Sequence, residues 1–195
     1  MKQKETLRTF IAVELPKEVH DELQKLQNNL KDSMPDVRWT KYGNIHITLK
    51  FLGDVEASRI ETISRSIQYI ADEFSPFNIS LAKVGAFPNF RKPSIIWVGI
   101  QDGSEKIAEI AGRIEFSMGK LGFPMEKRPF KPHLTIGRVR ELKHPAIMAK
   151  SLENNEIGKI GEFRVQKLSL IKSKLDPSGS IYTTLSEALL KPESA

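Results

Sequence analysis

The sequence predicts an α+β fold: two lobes related by an approximate two-fold axis, each mainly antiparallel sheet with helices outside, facing each other across a central cleft. Three observations predict it. Short alternating apolar runs, which suit strands, are interleaved with apolar residues at helical spacing. The order of these elements repeats once when the chain is laid on itself at an offset of 87 positions. Each copy also carries a histidine with a threonine two positions later, in "HITLKFLG" and "HLTIGRVR".

The elements follow in order. A strand spans Arg8 to Leu15, and Val19, Leu23, Leu26 and Leu30 then mark one face of a helix. A strand from Ile45 carries the first histidine, and Ile60, Ile63, Ile67 and Ile70 mark a second helix. Strands from Phe77 and Ser94 precede a third helix with Ile107, Ile110, Ile114 and Met118 on its apolar face. The strand from Pro132 carries the second histidine, and a shorter helix covers His144 to Leu152. One strand, "FRVQKLSLIKSKL", starts at Phe163; Pro177 and Gly179 turn the chain into a last strand from Ser180, so the two form a hairpin. That makes seven strands. Under the offset, the strand around Phe10 meets that around Trp97, His46 meets His133, the helix after Ala57 meets the one after His144, and Ile79 meets Gln166. Residues 1–195 are therefore expected to form a single bilobal domain, with repeats over about 8–88 and 94–175 and a closing strand at 180–186.

Composition narrows the chemistry. The 195 residues, 39% hydrophobic and 28% charged, are enough for a true core without staples. There is no cysteine, which excludes disulfides, thiolate metal sites and thiol nucleophiles and favours a reducing cytoplasm. No run approaches the roughly 20 apolar residues of a membrane span, so a soluble protein is expected. A net charge of +6 favours meetings with polyanions.

Residues two apart on a strand share a face, so His46, Thr48 and Lys50 are expected together, opposite Ile47, Leu49 and Phe51. The same alternation joins His133 to Thr135, opposite Leu134 and Ile136. Two imidazoles that titrate near neutrality can act as general acid and general base, and threonine hydroxyls with a cation can hold a phosphate between them. The sequence is symmetric as to which histidine does which. No second histidine or carboxylate stands at a ligand spacing in either segment, so no metal and no cofactor is expected. His20, on a charged helix, and His144, before a proline, are expected in solvent, whereas Trp39 and Trp97 are expected in the core.

The pair "HITLKFLG" and "HLTIGRVR" resembles the two signature motifs of the 2H phosphoesterase superfamily, and within it the RNA 2′,3′-cyclic phosphodiesterase branch, also called 2′-5′ RNA ligase-like. Similarity extends to "RTFIAVELP", "VRWT", "GAFPNFRKPSIIWVGI" and "LIKSKLDPSGSIYTTL", nearly the whole chain. The resemblance implies a metal-independent hydrolase that opens a 2′,3′-cyclic phosphate on RNA or a nucleoside to a 2′-phosphate, with His46 as general acid and His133 as general base. It places Thr48, Thr135 and Arg138 at the phosphate. The partner is then an RNA end or nucleotide; a cytoplasmic monomer is expected. The alternatives are 2′-5′ cleavage or reversible 2′-5′ ligation through the same groups, and a non-catalytic module that binds RNA ends.

Arg138 is out of strict alternation with His133, and a bulge at Gly137 would bring it back. Lys50, Arg91 and Lys92 are candidates for contacts with the RNA backbone, and Phe90 for stacking on a base, with Phe87 assigned to the core.

Overall fold

The computed structural model describes residues 5–153, 158–177 and 179–192. Nine strands and four helices follow one another as β1 (Thr6–Glu14), α1 (Lys17–Lys31), β2 (Val37–Trp39), β3 (His46–Glu56), α2 (Ile60–Ala71), β4 (Phe77–Phe87), β5 (Ile95–Ile100), α3 (Ser104–Lys120), β6 (His133–Val139), α4 (Pro145–Glu153), β7 (Lys159–Val165), β8 (Lys167–Asp176) and β9 (Gly179–Leu189). The expected turn before β9 includes Ser178, which lies outside the described residues, but Asp176 pairs with Gly179 and the hairpin forms.

The strands make one curled sheet in the order β7-β4-β5-β6-β3-β1-β8-β9, with β2 beside β6. Every pairing is antiparallel. The order is palindromic about its middle, because β3 corresponds to β6, β1 to β5 and β8 to β4. Each half therefore borrows a strand: β4 lies beside β5, and β8 beside β1. The halves of the sheet consequently do not coincide with the halves of the sequence. β3 and β6 meet through one residue pair, Ile47 with Leu134, so the two halves join at a point on the pseudo-dyad and part on either side of it. Only Gln166 separates β7 from β8, which lie toward opposite ends of the sheet; the sheet has to curl to bring them together.

Burial follows the helical periodicity. Leu23 of α1, Ile63 and Ile67 of α2, and Ile107, Ile110 and Ile114 of α3 are all buried, packed with Ile11, Ile47, Ile96, Leu134 and Ile136 of the sheet. Each side chain of this size contributes about 1.5–3 kcal/mol on burial, and together they fix the helices to the convex face. The concave face carries a second, smaller cluster of Phe10, Ala12 and Ile171 with Tyr182 against it. That face is the cleft.

Two strands are absent from the seven expected. Three residues of β2 are too few to show alternation, and the apolar run from Phe163 reads through Gln166 although the chain changes partners there, from β4 to β9.

Candidate active site

His46 and His133 begin β3 and β6, on either side of the point where these strands meet. With Ile47 opposite Leu134, antiparallel register sets the His46 position beside Thr135 and the Thr48 position beside His133. Both rings are held in the same way. His46 Nδ1 lies 3.0 Å from the Asn44 carbonyl, and His133 Nδ1 lies 2.6 Å from the Lys131 carbonyl. A carbonyl only accepts, so Nδ1–H donates in each, and Nε2 is left without that proton. Asn44 is itself tied down by its side-chain amide, which donates to the Ser180 carbonyl at 2.8 Å.

Alternation fails at the same place in both strands. Opposite β1, Ala12 pairs with Thr48 and Ile11 with Lys50, leaving Leu49 unpaired. Opposite β5, Trp97 pairs with Thr135 and Ile96 with Gly137, leaving Ile136 unpaired. Each bulge inserts one residue and inverts the parity beyond it. Arg138 thereby joins His133 and Thr135 on the cleft face, where its guanidinium acts on the His133 ring.

The same inversion corrects Lys50. Its ammonium turns into the convex side, 6% exposed, with both carboxylate oxygens of Glu115 and the Pro124 carbonyl within 2.9 Å, so it holds α3 to the sheet and is no RNA contact. Phe51 takes the cleft side instead, 66% exposed, its ring centroid 5.9 Å from that of Phe10.

Aromatic rings frame both histidines. His46 stacks on Phe10 at 4.7 Å with Tyr182 edge-on at 5.3 Å, and Phe87 stands edge-on to His133 at 5.0 Å. Phe87, expected in the core, thus stands at the site, while Phe90 is half-buried against the main core. Trp97 is likewise no core residue: it shares the cleft face with Thr135, lying so close over Gly85 that a Cβ there would meet the indole at 2.1 Å. Trp39 packs on the core as expected. Arg91 and Lys92 are exposed in a loop whose turn is made by Asn89 Oδ1, accepting both of their amide hydrogens at 3.0 Å.

Two further groups shape the site. Glu14 is the cross-strand partner of His46 and is held by the Ser169 hydroxyl at 2.6 Å and the Thr184 hydroxyl at 3.3 Å. Its only signal in the sequence is parity with Phe10 and Ala12. His20 is half-buried against Tyr42 and within the field of Glu14, not out in solvent, while His144 is exposed, its ring paired with Asp36 at 3.2 Å. Burial pushes His46 down to about 4, against which the carbonyl of Asn44 and the charge of Glu14 pull it up. Burial also lowers His133, helped by Arg138 and opposed by the Lys131 carbonyl. Among the described residues no three His, Cys, Asp or Glu side chains converge as a metal-ligand set, and no helix is long and apolar enough to cross a membrane.

The phosphoesterase model described as LigT-like matches this chain twice, over residues 13–97 and 98–182. The RNA 2′,3′-cyclic phosphodiesterase of Methanothermobacter thermautotrophicus is 32% identical over 179 residues, covering 92% of this chain and 96% of its own. That of Methanocaldococcus jannaschii is 33% identical over 184 residues, covering 93% and 99%. Among solved structures, the crystal structure of TT0787 of Thermus thermophilus superposes with a TM-score of 0.81 at 25% identity, covering 96% of this chain and 100% of that one. The crystal structure of E. coli LigT complexed with 3′-AMP does so with a TM-score of 0.74 at 23% identity, covering 95% and 99%. A doubled motif on a doubled sheet, matched by a family model in each half, makes the chain a member of the LigT-like phosphoesterase family.

Proposed function

We propose that the protein is a metal-independent RNA 2′,3′-cyclic phosphodiesterase that leaves the phosphate on O2′. The observation that carries this reading is the pair of imidazoles about the pseudo-dyad, both fixed through Nδ1 so that Nε2 is free to exchange a proton. A cyclic phosphate between them has one imidazole for the incoming water and one for the departing ribose oxygen, as in-line displacement requires. The names of the curated relatives support the substrate class.

The two environments favour different roles. Neighbouring charge pulls the two rings apart, Glu14 toward a charged His46 that suits the acid and Arg138 toward a neutral His133 that suits the base. Burial, the larger cause in both, lowers both and takes His46 to about 4 in the free protein, so the acid role needs the anionic phosphate to raise His46 on binding. In the step, a water oxygen bonds to phosphorus while its proton passes to His133 Nε2. The P–O3′ bond breaks, and O3′ takes the proton carried by His46 Nε2. Thr48, Thr135 and Arg138 donate to the non-bridging oxygens, whose charge grows in the transition state. Phe51 presents an exposed ring suited to a nucleobase, and Arg91 and Lys92 are placed to meet a longer chain. We place the enzyme in the cytoplasm, whose reducing conditions suit a chain without cysteine.

Adenosine 2′,3′-cyclic phosphate, incubated with the protein in excess chelator, should yield adenosine 2′-phosphate, separable from the 3′ isomer. His46→Ala or His133→Ala should each lower turnover by at least about a hundredfold with the fold retained. A 3′-phosphate product would reverse the geometry given to His46, and loss of activity on chelation would overturn the two-histidine mechanism. A wild-type protein that binds but never hydrolyses would be an RNA-end binding module.

A further inference from the structure

The cleft face carries a cation that the reaction leaves unused. β2 joins the edge of β6 beyond the point where β3 departs, and its register places Arg38 directly opposite Arg138. A Cβ added at Gly137 would meet Val37 Cγ1 at 2.4 Å and the Trp39 ring at 3.3 Å, so those side chains lie on the core side. Arg38, between them, faces the cleft beside Arg138. Both arginines are exposed, and neither has an ion-pair partner among the described residues. Asp36, two residues before Arg38, is committed elsewhere: its oxygens accept the Lys143 and His144 amides at 2.8 Å and face the His144 ring. Like charges directly opposed across a strand pair destabilise a sheet, and an anion placed between them reverses the sign.

The position of the pair indicates which anion. Arg138 acts on His133 and so stands at the reacting phosphate, and Arg38 lies one strand spacing, about 5 Å, farther out. At the position matching Arg138 the opposite wall carries Phe51, and Glu14 lies beside His46. A terminal nucleotide carrying a 2′,3′-cyclic phosphate has its next negative charge on O5′. That charge is repelled by the Glu14 wall and attracted by the β2 wall.

Resting on the activity proposed above, we infer that Arg38 is a second phosphate subsite that binds the chain phosphodiester on O5′ of the terminal nucleotide and so sets a preference for RNA ends over mononucleotides. Three substrates separate its parts: adenosine 2′,3′-cyclic phosphate, the same nucleotide with a 5′-phosphate, and a diadenylate ending in the cyclic phosphate. Arg38→Gln should lower kcat/KM on the second and third at least about tenfold more than on the first, mainly through KM, the scale of one charged hydrogen bond. Arg38→Lys should recover part of the loss. Equal losses on all three, or none, would overturn the subsite, and a penalty on the 5′-monoester alone would overturn its assignment to an RNA chain. Calorimetric binding of adenosine 2′-phosphate and adenosine 2′,5′-bisphosphate reads Arg38 without turnover. An affinity ratio unchanged in the variant would sink the inference even if the protein hydrolysed nothing.

Discussion

Glu14 is one of two charges, with Arg138 the other, that act in opposite senses on the two histidines. It lies across the strand from His46, with two hydroxyls fixing its oxygens, and β1 delivers it there by alternation from Phe10. His46 also faces His20, whose charge acts the other way, and the uncharged rings of Phe10 and Tyr182. Glu14→Gln keeps the hydroxyl partners but removes the charge, so His46 should hold its proton less well. The pH profile of kcat/KM should then move to more acid values, with kcat/KM at neutral pH falling roughly tenfold for each unit lost from the pair. A profile overlaying that of the wild type would leave Glu14 with a purely structural role.

The same scale shows what the sequence could and could not disclose. His46, Thr48, His133 and Thr135 are legible because alternation is regular up to the bulge. A bulge at Gly137 is expected from the sequence to explain Arg138, but not at its counterpart Lys50, 87 positions earlier, where the same repeat demands it. Applied to both copies, it would have exchanged Lys50 for Phe51. Glu14 and Arg38 lie in "RTFIAVELP" and "VRWT", stretches that carry the resemblance without assigning either residue a role, since each gains its meaning from a cross-strand neighbour.

Elements, in turn, hold the bulges in place. The extra residue in β6 leaves the Thr135 and Ile136 carbonyls turned from the ladder, and the segment after β2 collects them. Thr40 donates its hydroxyl to Thr135 at 3.0 Å and its amide to Ile136 at 2.9 Å, while the side-chain amide of Gln27, from α1, donates to Ile136 at 2.8 Å and Thr40 at 2.9 Å. Gln27 is 1% exposed on an otherwise apolar helix face, where a polar residue persists only if it is satisfied. Gln27→Leu should therefore cost about 2 kcal/mol, or roughly 4–8 °C in Tm, by stripping partners from buried carbonyls. It should also raise KM, because the bulge that aims Arg138 is loosened. A variant that melts lower but binds substrate normally would separate the clamp from the site. Helices are legible as elements, from four apolar positions each in α1, α2 and α3. Their polar exception is not, because its acceptors include one 109 residues away.

At the scale of the whole molecule, curling the sheet buries two titratable rings on its concave face in a protein that is already cationic. A histidine whose folded pKa lies below its unfolded value binds fewer protons when folded. Its contribution is therefore present in full above the unfolded value of 6.5 and is lost as pH falls through the folded one. For His46 that window runs from 6.5 down to about 4, corresponding to at most roughly 3 kcal/mol, and His133 adds a loss of the same sign. Denaturant unfolding at about pH 7.5 and about pH 4.5 should show the wild type losing stability across this interval. His46→Gln, which has no proton to gain, should lose less by about 2–3 kcal/mol, and His133→Gln by a smaller amount. The comparison isolates the rings because every carboxylate is common to the three proteins. An equal acid loss in all three would mean that the histidines are hydrated in the free cleft, and that burial does not set their proton affinity before substrate arrives.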